Sequence, residues 1–174
     1  NPYVYFDLER EQFAEGAGLL SSRASLDHLK DRRWLRQVCR DDLAHQLILF
    51  GGYGPKGTRA GTIGSVDMRA GQRLAECLNV SVDLTKPEDA RHLLEVYGLE
   101  ASKFILGKAR NFAHGKGKKL LVVLFDPYRS VQELIETGKR WDGTIVDYLK
   151  DNDFTFFDMT QVQFQDFLNQ KSSF

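Results

Sequence analysis

Six consecutive large apolar residues, Leu120 to Phe125, do most to limit what this chain can fold into. They stand in "GKGKKLLVVLFDPYRS", between glycines that suit a helix exit and an Asp-Pro pair that forces a turn. An apolar run this short, without alternation, reads as a strand buried on both faces, as the central strands of parallel sheets are. The chain on either side is therefore expected to supply covering helices and neighbouring strands.

The flanking sequence fits that expectation. "YVYFDL" at 3–8 is aromatic and β-branched and reads as a strand, followed by an ambiguous stretch with glycines at 16 and 18. Ser25 can cap a helix carrying Leu26, Leu29, Trp34, Leu35 and Val38. Leu47 to Phe50 reads as a second buried strand, and the glycine-rich stretch 51–64 as a long loop. A helix over 67–78, a short strand over 80–84 and a helix from Pro87 come next, with Thr85 as its cap. That helix breaks at Gly98 and resumes over 100–113, with Phe104, Ile105, Ala109 and Phe112 on one side. After the central run, Ser130 opens a helix that breaks near Trp141 and resumes over 145–149. A strand at 154–157 and a closing helix at 161–168 complete the chain. Strands alternating with long crossovers imply parallel connections. The expected fold is one α/β domain over 1–174, a three-layer α/β/α sandwich with a mainly parallel sheet, flavodoxin-like or SGNH-like.

Charge and composition exclude several classes. The chain has 24 basic and 24 acidic side chains, so general attraction to nucleic acid or anionic lipid is not expected. The lysines at 116, 118 and 119 read as a solvated helix-to-strand turn. No apolar stretch approaches the roughly 20 residues that span a bilayer, and the composition is that of a soluble globular protein. Cys39 and Cys77 read as buried free thiols, which favours a reducing, cytosolic setting. The ends "NPYVYF" and "NQKSSF" read as trimmed, so further elements are expected at either side.

In open parallel sheets, ligands bind beyond the carboxyl ends of the strands. Three segments fall there. The first is the glycine-rich loop, where Gly52, Gly54 and Gly57, with Lys56 and Arg59, have the backbone N–H groups and cations that bind phosphate or an oxyanion. It matches no P-loop, and Pro55 argues against a dinucleotide fingerprint. The second is the "DPYRS" turn, with Asp126 either a turn acceptor or a catalytic carboxylate and Arg129 an anion ligand or a salt-bridge partner. The third is Asp158, which either orients a histidine or caps the closing helix; Asp67 has the same double reading. Ser65 is the best-placed serine, beside Asp67, although no GxSxG elbow occurs. His28, His45, His92 and His114 form no metal-binding spacing, so neither a metal nor another cofactor is expected.

The segment from about Ala101 to Asp158 resembles the later half of SGNH-type (GDSL-like) hydrolases. The likeness lies in a helix, an exit like "AHGKGKKLLVVLF", a proline-containing turn, a second helix, and a strand ending in an aspartate like "FTFFDM". The family's Gly-Asp-Ser block and its C-terminal Asp-x-x-His block are not in the sequence, and no histidine follows His114. The resemblance implies hydrolysis of a small ester or acylated sugar, in which a serine attacks the carbonyl and a histidine takes its proton. Two alternatives stand beside it. One is a non-catalytic module that binds a protein partner through the glycine-rich loop, Tyr53 and Tyr128. The other is a phosphate- or nucleotide-binding protein using residues 51–64.

Overall fold

A computed structural model describes residues 3–16, 30–31, 33–34, 42–51, 66–125 and 129–171. The chain packs into two compact units, Asn1–Ala101 and Ser102–Phe174.

The first unit opens with strands β1 (Tyr3–Asp7) and β2 (Gln12–Gly16), paired antiparallel so that Phe6 lies opposite Phe13. Asp7 makes the hairpin turn, its carboxylate accepting the N–H groups of Glu9 and Arg10. Helix α1 (Leu43–Phe50) is capped by Asp42, which accepts His45 N–H at 2.7 Å. Its last turn ends at Gly51, whose carbonyl accepts both Nε and Nη2 of Arg91, so a cation sits at the negative end of the helix. Helix α2 (Met68–Cys77) is capped by Asp67 through Ala70 N–H, and Asp67 N–H in turn donates to Gln46 Oε1 of α1. Leu47, Val66, Leu74, Ala75, Leu84, Ala90 and Leu93 form the buried core, with Phe6, Leu8, Phe50 and Tyr97 packed on it. Gly71 lets α2 close on Leu84, because a Cβ there would stand 2.5 Å from Leu84 Cδ1.

Helix α3 (Pro87–Gly115) passes from the first unit into the second. It ends where Gly117 takes φ +62° and Lys118 N–H reaches back to the Ala113 carbonyl, a left-handed helix stop that glycine adopts without strain. The second unit continues with β3 (Leu121–Leu124), α4 (Arg129–Thr137), α5 (Gly143–Asp151), β4 (Thr155–Asp158) and α6 (Met159–Lys171). Strands β3 and β4 pair in parallel, Leu121 beside Thr155 and Val123 beside Phe157. Helix α6 packs on α4 and on β3. Ile145, Val146, Leu149 and Phe154 form the apolar centre of this unit, where the Arg110 guanidinium stacks 4.5 Å from the Phe154 ring and donates to the Asn152 carbonyl.

These elements correct the expected fold class. The described residues are mostly helical, with two separate two-stranded sheets, and neither a three-layer sandwich nor a flavodoxin-like or SGNH-like sheet is formed. Three expected strands never join a central sheet. Tyr3–Asp7 pairs with its own hairpin partner. Leu47–Phe50 is the end of a helix, because the Asp42 cap starts helical pairing upstream and Leu43, Leu47 and Phe50 then share one side. Residues 80–84 form no ladder; Leu84 is buried as a single side chain, and the Asp83 carboxylate turns the chain by accepting Thr85 N–H and Oγ1. Gly98 does not break α3, which runs through it without interruption. The expected helix over 25–38 lies mostly outside the described residues.

Candidate functional site

The carboxyl ends of β3 and β4 were the expected place for chemistry, and the structure puts an ion-paired knot there. Arg140 sits in the α4–α5 connection with its guanidinium nearly buried. Its Nε and Nη2 each lie 2.8 Å from one oxygen of Asp142, a two-pronged pair, while Nη1 binds Oδ2 of Asp158. Both carboxylates keep less than a fifth of their side-chain surface in water. The hydrogen bond to Asp142, reinforced by Asp158, holds the Arg140 pKa above the ordinary arginine value, against the pull of desolvation. The second Asp158 oxygen accepts Gln161 N–H at 3.3 Å and so caps α6. Beside it, Trp141 Nε1 donates to the hydroxyl of fully buried Ser130 at 2.7 Å. The cluster ties the α4–α5 connection to the end of β4.

Among the residues singled out from sequence, Asp158 has both its oxygens engaged in this knot. Arg129 opens α4. Ser65, Asp126, Gly52, Gly54, Lys56, Gly57 and Arg59 lie outside the described residues, as do Tyr53 and Tyr128. Asp67 is a helix cap. Cys77 is a free, half-buried thiol. Among the described residues no three His, Cys, Asp or Glu side chains gather where they can hold a metal ion. No described helix is long and apolar enough to cross a membrane. An open groove of about 590 Å³ between the β1–β2 turn and α2 is lined by Glu11, Arg69, Gln72, Arg73, Glu76 and Cys77. Arg73 spans it to the Leu8 carbonyl and pairs with Glu11, and exposed polar side chains make most of its walls.

The surface that sequence reasoning missed is one face of the β3–β4 sheet. In paired strands, opposite residues point to the same side, and alternate residues share a face. Leu121, Val123, Phe125, Thr155 and Phe157 therefore form one face, and Val122, Leu124, Phe156 and Asp158 the other. The first set is bare: Leu121 is 60% exposed, Val123 53%, Phe125 64% and Phe157 50%. The second set is partly buried, and α6 packs against β3. The Leu120–Phe125 run, expected to be covered on both faces, is covered on one. No signal in the run itself separates the two cases, since apolar residues on both sides say only that both faces are suited to burial. Lys119 continues the exposed row at the start of β3, and Lys116 and Lys118 lie exposed beside it.

In comparisons with known proteins, no family model matches the chain and no curated protein or solved structure is detectably similar to it. The resemblance to SGNH-type hydrolases is thus unsupported, and the fold contradicts it. That family needs a multi-stranded parallel sheet to present its catalytic loops together, and the described residues hold one parallel pair. The ester-hydrolase reading falls with it; no catalytic groove and no nucleotide-binding motif is found among the described residues, and the loop that the phosphate- or nucleotide-binding alternative relied on lies outside them.

Proposed function

We propose that this chain is an interaction module that docks an apolar protein segment on the bare face of the β3–β4 sheet. One observation carries the reading. Four large apolar side chains, Leu121, Val123, Phe125 and Phe157, lie side by side on one sheet face with half or more of their surface in water. Scattered exposed apolar residues are ordinary on any protein, whereas a contiguous patch marks an interaction site. Parallel sheets make the case stronger, because they occur almost only with both faces covered. This surface differs from the glycine-rich loop and tyrosines that the sequence pointed to.

The test is a titration of the chain with a leucine-faced amphipathic peptide of neutral side chains, followed by methyl NMR. Binding is expected to shift the Leu121 and Val123 methyl signals and to vanish in Val123→Lys. Shifts confined to other regions, or none at saturating peptide, would contradict the reading.

A further inference from the structure

Resting on that reading, we infer that the docked segment is an amphipathic helix lying antiparallel to β3 and β4, with acidic residues in its C-terminal turn. The inference concerns what fits the bare face, and three features of that face define it.

The first feature is chemical. The exposed row along β3 reads Lys119, Leu121, Val123, Phe125, and Lys116 and Lys118 stand exposed at the same end. Lys116 lies within the helix stop, 5.9 Å from the Phe112 ring, and Lys118 and Lys119 follow it, so the three lysines lie in the stretch that leads into β3. The face is thus apolar along its length and cationic at the amino end of the strand.

The second feature is directional. A helix laid antiparallel to β3 and β4 brings its C-terminus over Lys116, Lys118 and Lys119. The C-terminus carries about half a negative charge from its unpaired carbonyls, so lysines there are favourable. Electrostatics select this orientation over the parallel one. Glutamates or aspartates in the last turn add to the attraction, each as an exposed pair.

The third feature is size. From Leu121 to Phe125 the row spans roughly 13 Å at the rise of a β-strand, a length matched by about nine residues of helix at 1.5 Å each. The apolar patch is on the order of 400 Å², about half of what each partner contributes to a standard protein–protein interface. That area suits one short helix better than a symmetric pairing of two copies of this chain through the face alone.

Fluorescence anisotropy with two labelled peptides of about 14 residues tests the inference. Both carry the same leucine face; one ends in three glutamates and the other in three lysines. The glutamate peptide is expected to bind about fivefold more tightly, and the preference is expected to invert in the double variant Lys118→Glu/Lys119→Glu. Both affinities should be lost in Val123→Lys. These lysines and Val123 are exposed, so the variants are expected to keep the fold, and circular dichroism checks that they do. Equal affinity of the two peptides, both abolished by Val123→Lys, would overturn the charge and direction while leaving the docking face intact. Binding untouched by Val123→Lys would overturn the inference outright. So would sedimentation of the free chain as a dimer that Val123→Lys dissociates, which would make a second copy the occupant. Stronger binding to phosphatidylserine vesicles than to the glutamate peptide would also overturn it, assigning the face to a membrane surface.

Discussion

The described residues form two small sheets, and they solve the problem of their apolar side chains in opposite ways. The β1–β2 hairpin is antiparallel and self-contained: Phe6 and Phe13 meet edge-to-face at 5.1 Å, Phe13 meets Tyr97 at 5.4 Å, and Phe6 packs on the core of α1, α2 and α3. Its other side carries Tyr5 and Ala14 together with Asp7 and Gln12. The β3–β4 pair is parallel and apolar on both sides, yet only one side is covered. A parallel pair with one face left in water is an unfinished layer, and the proposed docking segment would complete it.

Substitutions that remove the same kind of side chain should therefore cost very different amounts in the two regions. Leu93→Ala, at a fully buried core position of the first unit, is expected to lower unfolding stability by about 3 kcal/mol. Val123→Ala on the bare face is expected to change it by less than about 0.5 kcal/mol. Urea titrations of both variants check the pair, and a large loss at Val123 would mean that the face is already covered.

The second unit has its own anchor, and it is polar. Arg140→Met leaves two poorly hydrated carboxylates without their cation, which should cost about 2–3 kcal/mol. Replacing Asp142 and Asp158 by asparagine in the same protein should restore a good part of that loss in thermal unfolding, since the penalty lies in the stranded charges.

Glycines sharpen the contrast further. Gly71→Ala pushes a methyl into Leu84 and should cost about 1–2 kcal/mol. Gly98→Ala meets nothing within 4 Å in the middle of α3 and should stabilise the chain by about 0.5–1 kcal/mol. Differential scanning calorimetry distinguishes the two signs.

The smallest effect is one of pH. Burial, helped by the nearby charge of Asp42, pushes the Tyr97 hydroxyl above its ordinary value of 10.0. Below pH 10 the group is neutral folded or unfolded and has no effect on the pH dependence. Above pH 10 the unfolded chain ionises first, so stability should fall until the folded pKa is passed. Tyr97→Phe should flatten that alkaline limb in denaturant titrations.

Much of the local structure was legible. The β1 strand, the 67–78 helix with its aspartate cap, the glycine exit at 115–117, the β3 run, the break near Trp141 and the 154–157 strand all follow from capping, periodicity and turn chemistry. What could not be read was which apolar segments meet. Leu47–Phe50 and 80–84 have the composition of strands, but the first was drawn into a helix by Asp42 and the second pairs with no strand among the described residues. Strand pairing is a long-range choice, and a six-residue run carries no record of its partner. The site was less legible than the fold. Asp158 was singled out from its place after a strand, and its pairing with Arg140, eighteen residues away, cannot be seen in local sequence. The bare face left no sequence trace, because a covered and an uncovered apolar strand are written alike.

The most direct test of the central claim is solvent access to that face in the free chain. Methyl NMR with the soluble nitroxide TEMPOL should broaden the Leu121 and Val123 signals strongly, while those of Val122 weaken less and those of fully buried Leu149 stay sharp. Leu121 and Val123 methyls as protected as those of Leu149 would contradict the account, since the face would then already have its cover.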